Sequence, residues 1–132
     1  MTPEGLIVRA SRHDPKETMD RLVAAVTARG ASVVARIDHA AAAAAVGLAL
    51  APTEVLVFGN PRAGTPLMQA AQTIGIDLPL RALVWRDAAG AVYVGYNDPR
   101  WLARRHGVEA GQEAVLSAMA ALLAAAVEAA AT

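Results

Sequence analysis

The chain has 132 residues, 55% of them hydrophobic but only 4% aromatic, and its twelve basic residues balance its twelve acidic ones. That length suits a single domain over 1–132 with its own, mostly aliphatic, core, and the charge balance provides no field for nucleic acid or an anionic membrane. The absence of cysteine excludes disulfides, thiolate metal sites, iron–sulfur clusters and covalent haem attachment.

Met1-Thr2-Pro3-Glu4-Gly5 has no basic stretch before an apolar run, so no signal peptide is expected. The longest uncharged run lies between Glu113 and Glu128, shorter than the ~20 residues of a membrane-spanning helix. A soluble, cytoplasmic protein is the expectation.

Leu6–Ala10 reads as a short strand. Asp14-Pro15-Lys16-Glu17 is a helix start: Asp14 caps, Pro15 suits the first position and Glu17 completes a capping box. Met19, Leu22, Val23 and Val26 follow at helical spacing, and Gly30 stops a helix of about 15–29. Ser32–Asp38 alternates as a strand, with Val33, Ala35 and Ile37 on one side and Arg36 on the other. Ala40–Val46 is a short alanine-rich helix, and Thr53–Phe58 is an inner strand. A third helix is expected from Thr65, with Thr65 as cap, Pro66 at the first position and Gly75 at the end. Arg81–Arg86 and Ala91–Tyr96 form a hairpin whose turn uses Gly90 for a positive φ. Asn97-Asp98-Pro99 starts a short helix that ends at His106-Gly107. A last helix runs from about Ala110 to Ala130, with Val115, Met119, Leu122 and Ala126 as one stripe.

Several strings resemble the bacterial and archaeal domain-of-unknown-function family 302. They are Arg36-Ile37-Asp38-His39-Ala40, Phe58-Gly59-Asn60-Pro61 with Gly64-Thr65-Pro66-Leu67-Met68, Asp77-Leu78-Pro79-Leu80, and Tyr96-Asn97-Asp98-Pro99 with Arg105-His106-Gly107. The element order β-α-β-α-β-α-β-β-α-α matches as well. The resemblance implies an α+β, two-layer sandwich: one mostly antiparallel or mixed sheet of about five strands with helices on one face, often dimeric. It implies no established activity.

The chemistry is sought at the loop after Phe58. Asn60, Arg62, Gly64 and Thr65 stand at a helix N-terminus, where backbone N–H groups, a hydroxyl and a guanidinium can converge on a small anion. The structural alternative is a rigid turn in which Asn60 bonds local backbone and Thr65 caps. The Gly-Lys-Ser/Thr ending of a phosphate-binding P-loop is missing. His39, at a strand end, and Tyr96, at the hairpin end, are further candidates for the same pocket. Neither a metal site nor a cofactor is expected, since no histidine has a partner at ligand spacing. His13 is read as solvent-exposed, and His106 as complementing a helix C-terminus.

Three readings follow. The leading one is a small binding domain holding an anionic or polar ligand at Asn60–Thr65. The second is an enzyme using His39 as acid/base beside Tyr96 and Asn60. The third is a purely structural, dimerising module. A homodimer through the C-terminal helix or a sheet edge is expected, because that helix is apolar over much of its girth.

Overall fold

The computed structural model describes residues 2–132. After β1 (Leu6–Ser11), the Asp14 carboxylate accepts from the Glu17 N–H at 2.8 Å and Pro15 opens α1 (Pro15–Ala28). The carboxylate satisfies a donor that the helix leaves free, and proline has no donor to satisfy. Gly30 then turns the chain at φ 86°, a left-handed conformation costly for other residues. Met19, Leu22 and Val26 come to one side of α1 and are fully buried.

β2 (Ser32–Asp38), α2 (His39–Ala45), β3 (Thr53–Gly59), α3 (Pro61–Ala70) and a 3₁₀ segment (Gln72–Asp77) follow. β4 (Leu80–Arg86), β5 (Val92–Asn97), α4 (Pro99–His106) and α5 (Glu113–Ala131) complete the chain. The strands form one five-stranded sheet in the order β1-β5-β4-β3-β2, antiparallel throughout. The main helices pack on one face of it, so the expected α+β class and element order hold.

Residues directly opposite one another across a ladder share a face. Leu56 lies opposite Ala82, and Ala82 opposite Tyr96; all three are buried under the helix layer. Phe58, Val84 and Val94 share that face and meet Leu22, Leu116 and Leu123 in one core. Burying each such side chain contributes about 1.5–3 kcal/mol, which makes this layer the source of the fold's stability. The opposite row runs Val8, Gly95, Leu83, Val55, Ile37, and points away from the helices.

A register shift between Val33 and Ala35 puts a bulge into β2. Beyond it Arg36 turns to the helix side and binds Asp20 of α1 at 2.9 Å and Glu54 at 3.0 Å. Bonds from Lys16 and Arg36 hold the Asp20 carboxyl below its usual range, and Glu54 holds the Arg36 guanidinium above its own. Val33, Ala35 and Ile37 therefore do not share one side as expected: Val33 lies opposite Phe58 on the helix side, and the bulge turns Ala35 and Ile37 to the side without helices.

α5 is long and apolar enough, by length and composition, to cross a membrane, which the charge-to-charge run in the sequence had understated. Its large side chains Leu116, Met119, Leu123 and Val127 are buried in the core against α1 and the sheet. Its outward positions are mostly alanine, among them Ala114, Ala118, Ala121 and Ala124. His13 is not the exposed residue expected: its side chain is 17% exposed and its Nε2 is buried without a partner among the described residues.

Candidate functional site

The loop after β3 is tighter than the sequence suggested. α3 begins at Pro61, so Asn60 and not Thr65 is the cap. Asn60 Oδ1 accepts from the Arg62 N–H at 2.9 Å. The Asn60 carbonyl accepts from the N–H groups of Ala63 and Gly64 at 2.9 and 3.0 Å. Pro61 has no N–H, so the backbone donors from Pro61 to Gly64 are already used inside the loop or missing. The first turn of α3 therefore offers an anion no free backbone donor. Pro61, not Pro66, takes the first helical position that suits proline, and Pro66 lies inside the helix.

The same residues instead edge a cleft of about 550 Å³, open to solvent, between the end of β3, the start of β2, α3 and α5. Its walls are apolar: Phe58, Met68, Leu78, Leu80, Met119 and Leu122. Polar groups stand at Arg29, Ser32, Asn60 and Thr65. Gly64 is buried and lines it, with Leu78 Cδ1 3.6 Å from where a Cβ would stand. Arg62 is exposed and does not belong to the lining. Of the six residues read as ligand-binding, the cleft thus gathers Asn60, Gly64 and Thr65.

His39 and Tyr96 lie elsewhere. His39 is exposed at the start of α2, beyond the Asp38–Glu54 pair, whereas Asn60 follows the other end of β3. Five residues of strand separate these ends, roughly 17 Å. Tyr96 sits two strands away from β3, 7% exposed. Burial first, and Asp98 second, push its hydroxyl pKa up. The convergence that acid/base chemistry by His39 with Asn60 and Tyr96 requires is not formed. No group of three metal-ligating side chains gathers among the described residues.

One polar cluster escaped the sequence reading. His106 Nε2 is 2.6 Å from Asp77 Oδ2, and Thr73 Oγ1 is 2.9 Å from His106 Nδ1. Arg105 Nη1 donates to both Asp77 oxygens at 2.9 Å. A hydroxyl, an imidazole and a carboxylate in line are the parts of a nucleophile relay. Here the carboxylate is shared with Arg105, the hydroxyl side chain is exposed, and none of the three lines the cleft. The cluster latches the 3₁₀ segment to the end of α4. Asp77 and His106 are 29 residues apart, a separation for which no spacing rule exists.

These features define a two-layer α+β domain with an apolar cleft beside a capped strand-to-helix turn. The chain belongs to the family described as domain of unknown function DUF302, whose family model matches residues 7–126. A crystal structure of an uncharacterized conserved DUF302 protein from Bacillus stearothermophilus superposes with a TM-score of 0.85, covering 98% of this chain and 100% of that one. At 18% identity that likeness shows the fold. Two relatives, from Brucella suis biovar 1 and Brucella abortus biovar 1, are 47% identical over 115 residues, 87% of this chain. Both are named fluoride-specific ion channel FluC 1. The chain spans less than half of their length, 45% and 43%. The cytoplasmic expectation is corrected by them: an ion channel is a membrane protein, so the likeness points to a membrane rather than the cytoplasm.

Proposed function

We propose that this chain is a small-ligand binding domain whose ligand sits in the cleft at the Asn60–Thr65 loop. The observation that supports it is the cleft itself: about 550 Å³, apolar in its walls and polar at Arg29, Ser32, Asn60 and Thr65. Ligand sites of small molecules are typically ~300–1,000 Å³, mostly apolar, with a few polar groups that orient the ligand. The ligand is then amphipathic: an apolar body against Phe58, Met68 and Leu122, and a polar or anionic end toward Arg29 and Thr65.

In the Brucella relatives the matching stretch is under half of a protein named as a fluoride-specific channel. We read this chain as the counterpart of a binding module beside a channel, not of a conducting part. The packing of α5's large apolar side chains into the core supports that reading.

Thermal-shift measurements with medium-chain carboxylates, inorganic phosphate and sodium fluoride test it. A carboxylate at 100 times its Kd stabilises by about 2.7 kcal/mol. Ala118→Phe, which fills the cleft from α5, should abolish the shift, and Arg29→Ala should weaken it. Absence of any carboxylate shift, or an Ala118→Phe protein that responds like the wild type, overturns the proposal. A shift with fluoride alone would also overturn it, because an apolar cleft does not select a bare ion.

A further inference from the structure

One glycine of the cleft is explained neither by its backbone nor by its packing. Of the ten glycines in the chain, six have a positive φ. A Cβ at Gly59, Gly75 or Gly95 would stand 3.2 Å from Pro79, 3.3 Å from Met68 or 3.0 Å from Trp85, closer than side chains ordinarily pack. Gly64 belongs to neither group. Its backbone is helical, within α3, and it is buried. A Cβ there would meet Leu78 Cδ1 at 3.6 Å and Met68 Cε at 3.8 Å. Both are ordinary van der Waals distances, and both atoms end flexible side chains.

Alanine would therefore be the more stable choice at this position. It is the best helix former and glycine among the poorest, and its methyl group would be buried. It would also restrict the unfolded chain. What glycine provides is room for another molecule to approach the backbone closely. That room opens on the cleft, which Gly64 lines together with Leu78 and Met68. Met68 stands one helical turn beyond Gly64, and helix side chains lean toward the N-terminus, so its thioether borders the gap. Its Sδ is seated against Gly75, 3.3 Å from where a Cβ would be. Leu78, Met68 and the bare Cα of Gly64 thus bound a slot in the apolar wall.

We propose that Gly64 is the specificity-determining residue of the cleft: the slot receives the far end of the ligand's apolar body and sets the longest body that fits. This rests on the reading of the cleft as a small-ligand site, and it narrows the ligand to an unbranched aliphatic chain with an anionic end held at Arg29. The slot is narrow because a single carbon at the Cβ position would touch both Leu78 and Met68. The missing Cβ lets the chain end lie deeper by about the 1.5 Å of a carbon–carbon bond, or roughly one methylene.

Calorimetric titration of the full chain with straight-chain carboxylates from butanoate to dodecanoate tests the proposal. Wild-type affinity should rise about fourfold per methylene until the slot is filled, and then stop rising. In Gly64→Ala the rise should stop about one carbon earlier. The longest ligand that the wild type accepts should then bind about fourfold more weakly, and shorter ones as before. The ligand-free variant should melt about 3 °C higher. Adding Leu78→Ala, which removes the side chain facing the new methyl, should bring the longer ligand back. A Gly64→Ala protein that binds every length as the wild type does overturns the proposal, and so does one that weakens all lengths equally. A lower melting temperature overturns it too, since the backbone itself would then require glycine. A wild type that binds none of the carboxylates removes the reading of the cleft and this proposal with it.

Discussion

His106 Nε2 lies 2.6 Å from Asp77 Oδ2, and this contact ties the end of α4 to the 3₁₀ segment that runs into one wall of the cleft. Leu78, which follows Asp77 directly, belongs to that wall. The His106 side chain is 8% exposed and Asp77 15%, so water screens the pair little. Arg105 binds the same carboxylate but is 52% exposed.

Burial predicts an unequal pair of substitutions at this latch. His106→Ala should cost about 1–3 kcal/mol, because it leaves a part-buried carboxylate and Thr73 short of a partner. Arg105→Ala should cost under about 1 kcal/mol, as exposed ion pairs do. Urea unfolding of both variants measures the difference; equal losses would mean that the latch is a surface pairing only.

The identity of the α3 cap is open to the same kind of test. Asn60→Ala removes the acceptor of the Arg62 N–H and should destabilise by about 1 kcal/mol. Thr65→Ala, inside the helix, should change stability by less than about 0.5 kcal/mol. The reverse ranking in chemical denaturation would restore Thr65 as the cap.

Two glycines separate backbone strain from steric collision. Gly5 has φ 80°, and a Cβ there would stand 2.3 Å from Trp101 Cδ2. Gly30 has φ 86° with open space around it. Gly30→Ala should cost only the left-handed penalty, about 1 kcal/mol. Gly5→Ala adds overpacking and should cost roughly 2–4 kcal/mol, with altered tryptophan fluorescence. Similar melting temperatures for the two variants would contradict the close approach at Trp101.

Tyr96 gives the chain a dependence on alkaline pH. Burial, and then Asp98, raise its folded pKa above the ordinary value of 10.0. In the unfolded chain the phenol ionises near 10, so above that pH the unfolded state loses its proton first. The contribution of Tyr96 is therefore complete below pH 10 and falls as pH rises through the folded value. Absorbance titration of a Tyr93→Phe protein should show a midpoint above 10.0 that returns toward it in denaturant. A midpoint at the ordinary value would mean that the hydroxyl reaches water.

Local chemistry was legible in the chain. Asp14-Pro15 and Asp98-Pro99 start helices because cap and proline act on groups only a few residues away, and Met19, Leu22 and Val26 share a face because of the helical repeat. The strings from Arg36 to Gly107 carried the family resemblance, and with it the sheet and its helix layer. What the chain could not tell is what distance in space decides. Asn60, Pro61 and Thr65 offered two cap-and-proline starts, and packing chose the first. His39 and Asn60 looked close in motif order, yet antiparallel pairing of β2 with β3 sends them to opposite ends of the sheet. Asp77 met His106 only when α4 folded back onto the 3₁₀ segment. An alternating strand such as β2 says that it has an apolar side, but not where the helices lie. The bulge at Val34 and the pull of Asp20 on Arg36 turned Ala35 and Ile37 outward, so the open apolar face of the sheet is a property of the tertiary structure alone.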